Sequence, residues 1–299
     1  SNYGELFEFW FDGANGGNGY YGGTNESRSI NAKEYYNYER ARDTILKRHP
    51  NAMIFGGTCQ TIRWVGNEQG WAGDTDWCMI NPEIDDNHKY LTHGSENGTH
   101  WIPAEVDVSI RPGWFYHDYE KPKTPEKLFD IYLTSVGRGG TLLLNLAPDR
   151  RGRVPEQDIE SLMAWRKMVD DTFANDLAAA AKVSASSSRG CSYGAKSVVG
   201  QDDKYWATED GVTTGDITLE WNEPQDVKYV TIQEHIALGQ RVRSFEIDVM
   251  RNGEWQNVAK ATTVGYKRII PIEGNGIEAV KVRFTDSRAE LAIARVAAY

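Results

Sequence analysis

Residues 7–13 read FEFWFDG, and the loop-forming ANGGNGYYGG follows at once. A strand buried on both faces needs a nearly continuous apolar run, which residues 6–11 supply apart from Glu8. Asp12 therefore falls where the strand stops and the loop begins. In parallel α/β folds the chemistry collects at that end of the strands, so Asp12 is a candidate functional carboxylate. The competing reading is an Asp that caps a turn ahead of Gly13, a common use of Asp at strand ends.

The rhythm continues downstream of this strand. Residues 32–50, AKEYYNYERARDTILKRHP, carry a helical pattern stopped by Pro50, and NAMIF (51–55) follows as a short buried strand. A long loop rich in tryptophan holds RWVGNEQGWAGDTDW (63–77), and IPAEVDVSI (102–110) is the next strand. In TPEKLFDIYLTSVGRGG (124–140), Thr124 caps a helix, Pro125 takes its first position, and the glycines at 137, 139 and 140 end it. GTLLLNLAP (140–148) is a parallel-type strand ending near Asn145, and residues 155–173 form an amphipathic helix.

Strands and helices alternating with long loops after the strands form the pattern of a (β/α) barrel. About four strands are countable, where a closed barrel has eight. Left alone, such a sheet would expose a hydrophobic margin. The expectation is therefore the C-terminal half of a (β/α)8-type barrel over residues 1–180, with the N-terminal half absent from this sequence and required as its partner.

From residue 181 the character changes. VSASSSRG (183–190) reads as a small-residue linker or first turn, and no convincing helix follows. In SFEIDVMRNGEW, Phe245, Ile247 and Val249 share a face ahead of an Asn252-Gly253 turn. In AVKVRFT, Val280, Val282 and Phe284 point inward while Lys281 and Arg283 point out. Short alternating strands separated by turns predict an antiparallel β-sandwich over residues 181–299.

Composition narrows the function. The chain has 299 residues, 40% of them hydrophobic, enough for a real core, and a net charge of −10 concentrated in the first 182 residues. That charge repels phosphate backbones, so nucleic acid is excluded as a partner, and no apolar run is long enough to span a membrane. Cys59, Cys78 and Cys191 have no metal-type spacing and read as apolar fillers, with a Cys59–Cys78 pair as the alternative. Ten tryptophans and fifteen tyrosines suit a carbohydrate site, because sugar C–H faces stack on aromatic rings; core packing is the competing use.

Cleaving a glycosidic bond takes two carboxylates, one that attacks or activates water and one that protonates the leaving oxygen. Asp12 suits the first role. For the second there are two rivals. Glu68 lies in GNEQG, where apolar surroundings would raise its pKa, and Glu105 lies in PAEVDVS, two residues from Asp107 and on the same face. Spacing alone leaves this choice open.

FEFWFDGANGG, RWVGNEQG, AEVDVSIRPGWFYH and LLLNLAPDRRG, in this order across about residues 3–175, resemble the α-L-fucosidases of glycoside hydrolase family 29. The likeness is greatest to the branch that releases fucose linked α-1,3 or α-1,4 in Lewis-type oligosaccharides. It implies a retaining hydrolase with Asp12 as nucleophile and Glu68 as acid/base, needing no cofactor. It also implies that Trp10 lines the fucose pocket and that Glu105 and Asp107 meet the next sugar. Arg63, Trp64, Arg111, Trp114 and His117 are further substrate-binding candidates, each with a structural role as its alternative. The family's fucose-binding histidines precede the nucleophile, in a region this sequence lacks.

In the second domain YWATEDG, IQEHIALGQRVRSFEI and TTVGYKRI resemble discoidin-like sandwiches related to family 32 carbohydrate-binding modules. That likeness implies a structural calcium near Asp202, Asp203 and Asp210, although such a turn is as often simply solvated. Family setting further implies a bacterial protein that is periplasmic or secreted. The rival to catalysis is a carbohydrate-binding protein whose sandwich binds glycan or serves only as a brace.

Overall fold

The computed structural model describes residues 3–12, 19–20, 27–28, 31–82, 88–200 and 203–299. Its N-terminal unit is built on five parallel strands, β1 (Glu8–Trp10), β2 (Met53–Phe55), β3 (Arg63–Trp64), β4 (Ala104–Ser109) and β5 (Thr141–Asn145). β1 pairs with β2, a single bridge from Phe55 to Ile62 joins β2 to β3, and β4 lies between β3 and β5. Spatial order thus equals chain order, as along an arc of a (β/α) barrel. β3 was hidden in the sequence because two strand residues inside a glycine- and tryptophan-rich segment carry no periodicity.

Helices cover the outer side of this arc. The helical stretch expected over 32–50 is two helices, α1 (Ala32–Tyr36) and α2 (Tyr38–Arg48), because Asn37 adopts a left-handed φ of 49° and caps the second. Asn tolerates that conformation better than most residues, and its side chain accepts the Arg40 N–H. α3 (Pro125–Thr134) begins as its sequence dictates, with Thr124 accepting from the Lys127 N–H. Its Leu128 and Ile131 pack beneath Val108 and Ile110. α4 (Glu156–Thr172) closes the unit, and among the described residues no helix is long and apolar enough to cross a membrane.

The C-terminal unit is an antiparallel sandwich. One sheet runs in the order β6 (Lys182–Ala185), β8 (Gly215–Gln225), β13 (Ile277–Ser287), β10 (Val242–Arg251), β11 (Glu254–Ala261). The other runs β7 (Trp206–Ala207), β14 (Ala292–Ala298), β9 (Tyr229–Glu234), β12 (Arg268–Pro271). Phe245, Ile247 and Val249 face Phe284, Val282 and Val280 across β10 and β13, all in the buried core with Trp206, Ile217 and Leu219. Asn252 and Gly253, at φ 51° and 77°, make the two-residue turn between β10 and β11. The expected linker at 183–190 begins as strand β6, whose Val183 and Ala185 pack against the core.

The two units are in direct contact. Phe173 packs on Tyr229 and Tyr299, and Phe129 packs edge-on against Tyr229. The backbone N–H of Ile269 in β12 donates to the Gly137 carbonyl beyond α3. The cysteines are free, with Cys78 buried and Cys191 exposed, so Cys191 is no apolar filler.

Candidate active site

Alternation along β1 decides what lines the inner face of the arc. Phe9 and Phe11 pack outward with Ile45, Ala52 and Ile54 beneath α2, which turns Glu8 and Trp10 to the opposite side. The next step of the alternation carries Asp12 to that same side, just past the C-terminal end of the strand, where it is exposed. Gly56 holds this end in place. At φ +77°, a Cβ there would lie 2.3 Å from the Phe11 carbonyl oxygen, so only glycine lets the ends of β1 and β2 approach so closely.

β4 repeats the pattern. Ala104, Val106 and Val108 join the outward apolar clusters, leaving Glu105, Asp107 and Ser109 on the inner face. Three indole N–H groups then donate to three carboxylates: Trp10 to Glu105 at 3.1 Å, Trp64 to Asp107 at 2.8 Å and Trp114 to Glu68 at 3.0 Å. Trp10 also stacks on Phe55, with ring centroids 4.5 Å apart, which fixes the plane of the indole. Asn145 at the end of β5 donates to the Ser109 hydroxyl and to the Trp114 carbonyl, tying the loop after β4 to the neighbouring strand.

The carboxylates differ in environment. Burial, followed by the negative charge of Glu8, pushes the Glu105 carboxyl up to about 8, and burial also raises Glu8. Glu8 and Glu105 are close enough for the charge of each to act on the other, so ionising both at once is disfavoured. Asp107 is pushed up to about 6, chiefly by burial and further by the charge of Glu68, while the Trp64 indole pulls it down. Glu68 therefore lies within electrostatic reach of Asp107. Glu68 itself is exposed, so the described residues do not form the apolar enclosure expected around it.

Candidates at the inner face thus come together as two linked groups, Glu8–Trp10–Glu105 and Trp64–Asp107–Glu68–Trp114. Two arginines do not join them. Arg63 is fully buried, and its guanidinium donates to the Leu91 and Ile102 carbonyls and to Asp76 at 2.6 Å. Arg111 makes a two-point pair with Asp158 and donates to the carbonyls of His117 and Glu120. Arg63 is thus wholly engaged in the scaffold, while Arg111, paired with Asp158, borders a cavity lined by Tyr116, Glu120 and Asp149 away from the two groups. His117 is exposed and stacks on Tyr119. Glu105 and Asp107 are 1% and 4% exposed, so their contact with a sugar would have to run through the indoles that cover them.

Glu8 and Asn145 belong to the site but were not picked out as site residues from the sequence. For Glu8 the signal was present, as the single charge in an otherwise apolar strand. Of the calcium candidates, Asp202 lies outside the described residues, Asp203 is exposed, and Asp210 pairs with Arg189 at 2.7 Å. Among the described residues, no three His, Cys, Asp or Glu side chains gather as metal ligands.

The α-L-fucosidase family model matches residues 7–169, and the F5/8 type C domain model matches residues 182–295. Alpha-L-fucosidase 1 of Arabidopsis thaliana is 38% identical over 280 residues, covering 90% of this chain and 53% of the relative. The chain spans about half the length of the curated relatives it matches. The crystal structure of SpGH29 superimposes with a TM-score of 0.89 at 31% identity, over 99% of this chain and 64% of that one. A Ruminococcus gnavus GH29 fucosidase in complex with fucose gives a TM-score of 0.86 at 28% identity, over 99% of this chain and 61% of that one.

Proposed function

Because the chain belongs to the α-L-fucosidase family, glycoside hydrolase family 29, we propose that it supplies the two catalytic carboxylates of a retaining exo-α-L-fucosidase. An Asp12 oxygen attacks the anomeric carbon of a terminal fucose while the bond to the leaving sugar breaks, and the Glu68 proton moves to the departing oxygen. Glu68, now a carboxylate, takes a proton from water whose oxygen attacks the same carbon, freeing fucose and Asp12. No cofactor enters this sequence of steps. The substrate class is α-1,3/1,4-fucosylated glycans of the Lewis type, met outside the cytoplasm.

The observation that carries this reading is accessibility. Asp12 and Glu68 are both exposed, beyond the C-terminal ends of β1 and β3, whereas Glu105 is 1% exposed beneath Trp10. A proton donor has to reach the leaving oxygen to within hydrogen-bond distance, which favours Glu68 over its rival. The test is Glu68→Gln in the full-length protein. Turnover of substrates with poor leaving groups should fall by about 10²-fold or more, activated aryl fucosides should still form the fucosyl-enzyme readily, and azide, which needs no general base, should speed its breakdown for those activated substrates. Azide rescue of Glu105→Gln but not of Glu68→Gln would transfer the acid/base role to Glu105.

A further inference from the structure

We infer that the β-sandwich is part of the catalytic scaffold, and that Gln240 is the positioning residue through which it holds the segment bearing Glu68. The inference rests on the acid/base role proposed for Glu68. Residues 66–71 form a small self-bonded loop: Asn67 accepts from the Gln69 N–H and donates to the Trp71 carbonyl, and the Trp71 indole donates to Gln69. Its exit is pinned on the barrel side. Thr134 donates to the Gly70 carbonyl, the Ala72 N–H donates to the Thr134 carbonyl, and Arg138 donates to the Ala72 carbonyl.

The next residues are held from the sandwich. Gln240, 6% exposed, uses its side-chain amide like one residue of an added strand, donating to the Asp76 carbonyl at 2.8 Å and accepting the Cys78 N–H at 2.8 Å. Thr263 accepts the Asp76 N–H at 2.9 Å, and Thr262 and Arg268 donate to the Asp74 carbonyl. The backbone that follows Gln240 is anchored by buried Glu234, whose side chain accepts the N–H groups of Arg241, Val242 and Gly265.

Asp76 transmits the hold inward. Its carboxylate binds Arg63 at 2.6 Å, and Arg63 immediately precedes Trp64, whose indole fixes Asp107, a carboxyl within electrostatic reach of Glu68. Most of these groups are buried and polar, so the arrangement is costly to break and has few alternative partners. A brace that served solubility alone would not need so many directional bonds on one short strap.

The experiment compares Gln240→Met, which keeps volume and removes both bonds, with Arg243→Ala, which breaks the interdomain ion pair to Glu96 away from the strap. Each is measured in the full-length protein on aryl fucosides of graded leaving-group pKa, and by amide hydrogen exchange over residues 66–71. Gln240→Met should lower kcat/KM about tenfold for the poorest leaving group and less than about twofold for the best, and should speed exchange at 66–71. Arg243→Ala should change neither the leaving-group dependence nor that exchange. Equal losses on every substrate, or unchanged exchange at 66–71, would overturn the inference. The Glu68→Gln control separates the two readings: no leaving-group dependence there removes the acid/base assignment, while the exchange result still decides whether Gln240 holds the loop.

Discussion

At 1% exposure, with Glu8 against it, the Glu105 carboxyl is pushed well above the range it has in the unfolded chain, by burial first and by that neighbouring charge second. A folded pKa raised from 4.5 to about 8 means that stability is greatest below the unfolded value and declines as pH rises through that window. Melting temperature should therefore fall from pH 5 to pH 8, and Glu105→Gln should flatten the decline; equal slopes for the two proteins would contradict it. Asp107 and Glu234, pushed up to about 6 and about 7 by burial, act in the same direction and leave a residual slope. Arg63 makes the opposite case, a buried charge whose partner depends on it. Arg63→Met leaves Asp76 unpaired at 4% exposure and should cost about 3–5 kcal/mol in urea unfolding, with much of it recovered in the Arg63→Met/Asp76→Leu double variant.

At the scale of elements, the strands that alternate or run apolar were legible and the irregular pieces were not. β4 showed Glu105 and Asp107 on one face because period two is visible in AEVDVS, and the α3 cap was visible in Thr124-Pro125. β1 was harder. It read as buried on both faces, because bulky Trp10 fills the inner side and masks the alternation that Glu8 betrays. β3 and the split at Asn37 depend on tertiary pairing and on one left-handed residue, which composition does not report. Two substitutions check the elements that place the carboxylates. Trp114→Phe removes the donor to Glu68 and should slow poor substrates roughly fivefold, a cost of about 1 kcal/mol, with little change in melting temperature. Gly56→Ala forces a Cβ against the Phe11 carbonyl and should lower both stability, by about 1–3 kcal/mol, and turnover.

For the whole molecule, the division into a barrel-type unit and a sandwich could be read from the change in periodicity near residue 181, but the joint between them could not. Gln240 meets Asp76 across 164 residues of sequence, and Phe173 meets Tyr229 and Tyr299 through rings that look like ordinary core aromatics. Removing residues 182–299 should expose that aromatic face and the polar strap together, giving a product that aggregates; a soluble, fully active remainder would show the sandwich to be dispensable. Catalysis is proposed to rest on the two carboxylates beyond the ends of β1 and β3, Asp12 and Glu68. A 2-deoxy-2-fluoro fucosyl donor with a good leaving group should trap the covalent intermediate of a retaining enzyme, and peptide mass analysis would locate it. A fluorofucosyl ester is expected on Asp12 and none in Asp12→Asn; an ester on Glu68, Glu105 or any other carboxylate would show that Asp12 is not the nucleophile.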